Sequence, residues 1–150
     1  MSAIIETIYN SVVSDEKLKN GTKYEKLAAL VYKSLDAESV VIHDLRLRGE
    51  GKAASHQIDV TIEKQNESKR ILIECKDYDD VVGIGIIRDF HGAVSQIKPD
   101  GAIVLSRSGF TQGAVDFAND EGIKLGILRE FIDSDWDNRL TGITFNIVVQ

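Results

Sequence analysis

A single cysteine, Cys75, in 150 residues leaves no partner for an internal disulfide and no cysteine cluster for zinc. That economy suits a reducing cytoplasm, and Cys75, inside an apolar run, reads as a small core residue. There is also a single proline, Pro99, and no tract rich in Pro, Gly or Ser, so nothing in the letters divides the chain. One domain spanning 1–150 is expected, long enough to bury roughly 70% of its unfolded surface. Long apolar runs are missing as well: none approaches the ~18 residues of a membrane span. The opening MSAIIETIYNSVVSDEK has an early acid and no basic stretch before its apolar part, so neither export nor a membrane partner is expected. Positive charge is in short supply, with a formal net charge of −6, which argues against a broad basic surface. The acidity is concentrated in residues 109–150, where seven acids face three bases. The middle of the chain is nearly balanced and holds Arg46, Arg48, Lys52, Lys76 and Arg107, which leaves room for local basic strips.

What is present is strong periodicity. Ile4, Ile5, Ile8 and Val12 are spaced for a helix over 3–13, and Asn20-Gly21 reads as its break. In GTKYEKLAALVYKSL the positions Tyr24, Leu27, Ala28, Val31 and Leu35 predict a second amphipathic helix, with Thr22 as N-cap and Glu25 closing a capping box. Three strands follow: VVIHDLRLRG around 40–48, IDVTIE at 58–63 and ILIECK at 71–76. A hairpin centred between Asn66 and Glu67 pairs Val60 with Ile73, Ile62 with Ile71 and Glu63 with Arg70. Continued upward, that register puts Ile58 opposite Cys75 on the same apolar face. On the other face it sets Asp59 opposite Glu74 and Gln57 opposite Lys76.

Two carboxylates directly opposed on neighbouring strands repel, and a solvated face ordinarily avoids the pair. Held about 5 Å apart at Cβ, they are a start for a cation site. Hydrolysis of a phosphodiester needs a divalent ion to neutralise phosphate charge and to activate water, and carboxylates are its hard ligands. Lys76, two residues beyond Glu74, shares that face, where an ammonium stabilises a negative transition state.

Beyond the motif strand, IGIIRDFHGAVSQIK has helical spacing, GAIVLS (101–106) reads as a buried strand, FTQGAVDFANDEG as a helix and IKLGIL as a strand. This β-α-β-α-β order predicts parallel strands, hence a mixed sheet. ITFNIVV is left as an edge strand or a dimer element. Ser106-Arg107-Ser108-Gly109 lies between strand and helix, suited to an anion, so Arg107 is a candidate DNA-backbone contact with Lys52 as another. With no Walker lysine and no GxGxxG, no nucleotide cofactor is expected. Tyr78-Asp79-Asp80 reads as a solvated acidic loop or as extra metal ligands.

Asp59, Glu74 and Lys76 resemble the D…(D/E)-x-K signature of the PD-(D/E)xK nuclease superfamily, without the proline of its name. GTKYEKLAALVYK, HQIDV, ILIECKDY, GAIVLSRSGFT and GAVDFANDEGIKLGIL together resemble, in order, the Mrr-like restriction endonuclease domain over roughly residues 21–128. The resemblance implies an α/β, three-layer restriction-endonuclease-like fold whose central mixed sheet joins an antiparallel front hairpin to a parallel back half, with helices on both faces. It implies a Mg²⁺- or Mn²⁺-dependent DNA endonuclease acting as a homodimer, with Asp59, Glu74 and Cys75 at the metal, Lys76 as electrostatic catalyst and Glu25 in support. Gln96, on the helix after the motif strand, would face the site. His56 and Gln57 stand where many relatives have glycines and are further supporting candidates. A structure-selective nuclease like the archaeal Holliday junction resolvases, and a non-catalytic DNA-binding or oligomerisation module, stay open as alternatives.

Overall fold

In a computed structural model, which describes residues 3–130 and 145–149, one mixed sheet carries helices on both faces. Helices α1 (Ala3–Ser14) and α2 (Asn20–Leu35) lead into β1 (Val40–Arg48), β2 (Ser55–Lys64) and β3 (Lys69–Lys76). Then α3 (Ile84–Ile97), β4 (Gly101–Ser106), α4 (Gln112–Glu121), β5 (Lys124–Glu130) and β6 (Phe145–Val149) complete the order. The six strands lie in sequence order β1 to β6. β1, β2 and β3 are antiparallel neighbours, β3, β4 and β5 are parallel, and β6 closes the far edge antiparallel to β5. Of the two readings of ITFNIVV, the edge strand is the one observed. No described helix is long and apolar enough to cross a membrane.

Each face of the sheet has its own core. On one, Tyr24, Ala28 and Val31 of α2 cover Val60, Ile62, Ile73, Cys75, Leu105 and Leu128. On the other, Ile87, Phe90 and Ala93 of α3 and Ala114 and Ala118 of α4 cover Ile58, Leu72, Ala102, Val104 and Leu125. These apolar rows recur at helical spacing on α2, α3 and α4 and fill the strands of the parallel half, as a doubly covered sheet requires. The Thr111 hydroxyl caps α4 by accepting from the Ala114 N–H at 3.1 Å, and Gly122 ends it at φ 71°.

Several expectations are corrected. First, Asn20-Gly21 does not break the chain but opens α2; the bend lies at residues 15–18, where the Asp15 carboxylate accepts from the Lys17 N–H at 3.0 Å. Second, the N-cap of α2 is Lys19, without a side-chain cap, so Thr22 falls inside the first turn and the Thr22–Glu25 capping box is not made. Glu25 is thereby free for another partner. Leu35, expected inward, is 68% exposed at the helix end.

Third, the β2–β3 register holds from Lys64↔Lys69 to Val60↔Ile73 and stops there. Ile58 joins the core under α3 and α4, whereas Val60 joins that under α2. The alternation of faces is therefore broken at Asp59, and Ile58 does not share a face with Cys75. Across the strand, β1 is irregular at the matching point: His43↔Val60 and Leu45↔Ile58 pair, but Asp44 between them takes a left-handed φ of 61°. The register is the same on both sides of this level, so no residue is inserted; Asp44 and Asp59 face each other where the pairing lapses, and a left-handed φ at a non-glycine residue is local strain of the kind that gathers at functional sites.

Candidate active site

The lapse in pairing sets up the charged cluster. Where the β2–β3 ladder ends, the Asp59 carboxylate takes the place of a backbone acceptor: its Oδ2 accepts from the Cys75 N–H at 2.8 Å. That bond aims Asp59 at the end of β3, close enough to the Glu74 carboxyl to raise its pKa. The two acids thus meet across an opening between strands, not as a directly opposed ladder pair. Burial first, and then Asp59 as hydrogen-bond partner and neighbouring charge, push Glu74 up to about 9. Lys76 opposes the shift, so its ammonium lies within electrostatic reach of Glu74, while Glu25 adds to it.

Glu25 reaches this cluster from α2. Freed from capping, its Oε1 lies 2.8 Å from Nε2 of His43 on β1. Burial raises the Glu25 pKa, His43 works against that, and Asp59 adds to the rise. His43 is the residue that sequence reasoning passed over. The signal was available in the β1–β2 register, which sets His43 opposite Val60, next to Asp59.

Cys75 turns away from the carboxylates. Its side chain is buried with Tyr24 and Leu128 on the α2 face, and burial, reinforced by Asp59, Glu25 and Glu74, pushes its thiol well above the ordinary value. A neutral thiol is a poor metal ligand, so the group Cys75 can offer an ion is its backbone carbonyl. Tyr24, beside Glu25 on α2, is likewise held neutral by burial, and its hydroxyl donates to the Leu128 carbonyl at 2.8 Å.

The remaining candidates sit elsewhere. Gln57 does not pair with Lys76: its amide hydrogen-bonds Asp44, bracing the two strands there. His56 Nε2 and Gln96 Oε1 lie 2.7 Å apart and tie the start of β2 to the end of α3. Gly49 packs into the same junction so closely that a Cβ there would run into the Gln96 carbonyl. Lys52 is exposed at the β1–β2 turn, and Arg46 and Arg48 are exposed on one face of the arm leading to it. Arg107 is engaged: its Nε donates to Asp77 at 2.6 Å and its Nη2 to Asp79 at 2.7 Å. Asp79, one of the loop acids considered as extra ligands, is thus an ion-pair partner.

Among the described residues, no three His, Cys, Asp or Glu side chains close up as a ready-made metal cage. The donor set nevertheless fits a hard cation: two neighbouring carboxyls, one of which, Glu74, is pushed up first by burial and then by Asp59, and a third acid, Glu25, nearby. With only two or three protein oxygens, such a site leaves coordination positions for water and substrate, as Mg²⁺ sites commonly do.

A sheet that parts at Asp59 to gather Glu74 and Lys76, with an acid approaching from the preceding helix, belongs to the class of restriction-endonuclease-like folds. The Mrr_cat family, described as a restriction endonuclease, matches residues 19–134, and the chain belongs to that family of nuclease domains. Among solved structures, it is similar to a protein of unknown function, AF1548, at a TM-score of 0.56 and 18% identity. That alignment covers 68% of this chain and 56% of the other. It is also similar to the DNA modification-dependent restriction endonuclease AspBHI, at a TM-score of 0.46 and 13% identity, over 85% of this chain and 33% of that one. The chain therefore spans about half of the first structure's length and a third of the second's. No curated protein matches it.

Proposed function

We propose that the protein is a Mg²⁺- or Mn²⁺-dependent DNA endonuclease that hydrolyses phosphodiester bonds by metal-activated water. Asp59 and Glu74 would hold the ion, with the Cys75 carbonyl beside them and Glu25 in support. When bound, the ion would neutralise phosphate charge and lower the pKa of a water molecule. Lys76 supplies a fixed positive charge where negative charge develops on the phosphate. His43 holds the Glu25 carboxylate toward the site, and Cys75, through its N–H, holds that of Asp59. Lys52, with Arg46 and Arg48 on the same arm, is a natural contact for the DNA backbone. A second copy of the chain would present a second site for the opposite strand, which makes a homodimer the expected working form.

The observation that carries this reading is Glu74, half-buried against Asp59 with Lys76 in reach and pushed up to about 9. A carboxyl so placed costs stability as an anion unless a cation joins it, which is a poor arrangement for a merely structural strand end. Plasmid nicking with Mg²⁺ or Mn²⁺ tests the proposal: wild type converts supercoiled DNA, and Asp59→Ala and Lys76→Ala each lose about a hundredfold or more. Activity surviving in both variants, or none in folded wild type on linear, methylated or branched DNA, overturns it.

A further inference from the structure

Lys76 is the last residue of β3, and a long, flexible side chain at a strand end loses its use unless something holds it. The loop that follows, 77–82, is stitched to the loop after β4. The Arg107 N–H approaches the Lys76 carbonyl at 3.4 Å, the Ser108 hydroxyl donates to the Asp80 carbonyl at 2.6 Å, and the Val82 N–H donates to the Gly109 carbonyl at 2.8 Å. The Thr111 N–H returns to the Val82 carbonyl at 2.9 Å. The second loop is itself held from inside, because the buried Ser106 hydroxyl accepts from the N–H groups of Ser108 and Gly109 at 3.1 and 3.0 Å. Over this frame the Arg107 guanidinium grips Asp77 and Asp79, the residues on either side of Tyr78. Tyr78, 45% exposed, has its ring centre 5.7 Å from the Lys76 Nζ.

We propose that Arg107 is a positioning residue: by fixing Asp77 and Asp79 it sets the Tyr78 ring against the Lys76 ammonium and so holds that ammonium at the site. This rests on the reading of Lys76 as part of the site and departs from the expectation that Arg107 contacts DNA phosphate. The two grips are unequal. Asp77 is largely covered, whereas Asp79 is 95% exposed, and an ion pair in open solvent contributes little. The Arg107–Asp77 contact is therefore the working one. A guanidinium suits this contact better than an ammonium, because its planar, directional Nε–H is fixed on the Asp77 carboxylate while the rest of the fork faces Asp79. The tyrosine face adds the attraction of a ring quadrupole for a cation, and its ring limits the volume Lys76 can explore.

Two measurements separate this role from a phosphate contact and from failure of the nuclease reading. The first needs no catalysis: in protein with ¹³C-labelled lysine, the Lys76 methylene protons near Nζ are displaced upfield by the Tyr78 ring. Tyr78→Ala abolishes that displacement and Tyr78→Phe restores it. Arg107→Ala, Arg107→Lys and Asp77→Asn shrink it by at least half, while Asp79→Asn shrinks it less. The second measures single-turnover cleavage and DNA affinity apart. Arg107→Ala slows cleavage by about threefold to a hundredfold at unchanged affinity and salt dependence, and Tyr78→Phe keeps the wild-type rate where Tyr78→Ala does not. A Lys76 signal indifferent to Arg107 overturns the proposal. So does an affinity loss in Arg107→Ala with the salt slope reduced by about 0.9, the mark of a lost phosphate contact. A Lys76 signal that responds as described in a protein that cleaves nothing leaves the clasp standing and removes only the nuclease reading.

Discussion

The two ends of the β2–β3 hairpin are built from the same strands to opposite specifications. Near the turn, from Val60↔Ile73 to Lys64↔Lys69, the ladder is continuous and its apolar side chains are covered on both faces, Val60, Ile62 and Ile73 under α2 and Leu72 under α3 and α4. At the other end the ladder stops, Asp59 replaces a backbone acceptor with its carboxylate, and Glu74 sits half-buried beside it. The closed end supplies stability and register. The open end draws on that stability to hold like charges together, which it would shed if the strands could slide. A site of this kind needs a rigid hairpin on one side of it and a broken one on the other.

Substitutions at each end should sharpen this contrast. The largest effect is expected from Leu72→Ala, in the closed ladder opposite Thr61 and fully buried under α3 and α4. Loss of the side chain should cost about 2–5 kcal/mol in urea unfolding, a large share of the roughly 5–15 kcal/mol that holds a domain folded. Glu74→Gln at the open end should act in the reverse sense. Because the folded protein holds the Glu74 proton up to about 9 and the unfolded chain only to the ordinary carboxylate range, wild-type stability is greatest below about pH 4.5 on this account. It then falls as pH rises toward 9 and levels off above. Glu74→Gln should flatten that slope and raise stability by on the order of 1 kcal/mol or more at pH 8, while abolishing cleavage. Unfolding midpoints across pH 4–10 measure it, and an unchanged slope would count against the half-buried pair. The smallest effect is expected from His43→Gln, which leaves Glu25 in place but loosens it. A rate reduced about threefold to tenfold, with the fold intact by circular dichroism, is the expected outcome.

The difference between the two ends also explains what the sequence could convey. The register of the closed end follows from apolar alternation, and Val60, Ile62, Ile71 and Ile73 specify it without ambiguity. So do α3, β4, α4 and β5, whose apolar spacing, Thr111 cap and terminal Gly122 agree with one another. Asp59, Glu74 and Lys76 could be singled out from the sequence as residue types at a suggestive separation. Their geometry was not legible, because simple alternation carried past Val60 assumes an unbroken ladder, and nothing in HQIDV announces that Ile58 crosses to the other face. Likewise Thr22-x-x-Glu25 is a fair capping signature, overridden because the chain enters α2 three residues earlier, with Lys19 at the N-cap. Contacts between segments far apart in sequence, such as His43 with Glu25 or Arg107 with Asp77, leave no local pattern to read.

The left-handed turn of β1 at Asp44 has a second consequence. β1 is an outer strand, and its free side would offer a run of unpaired amides and carbonyls to any passing extended chain. A residue at φ 61° in the middle of that run interrupts its repeat, and the exposed Arg46 and Arg48 beyond it add like charges against self-stacking. The distortion that faces Asp59 at the parting of the strands therefore also works against polymerisation of the molecule along its own border.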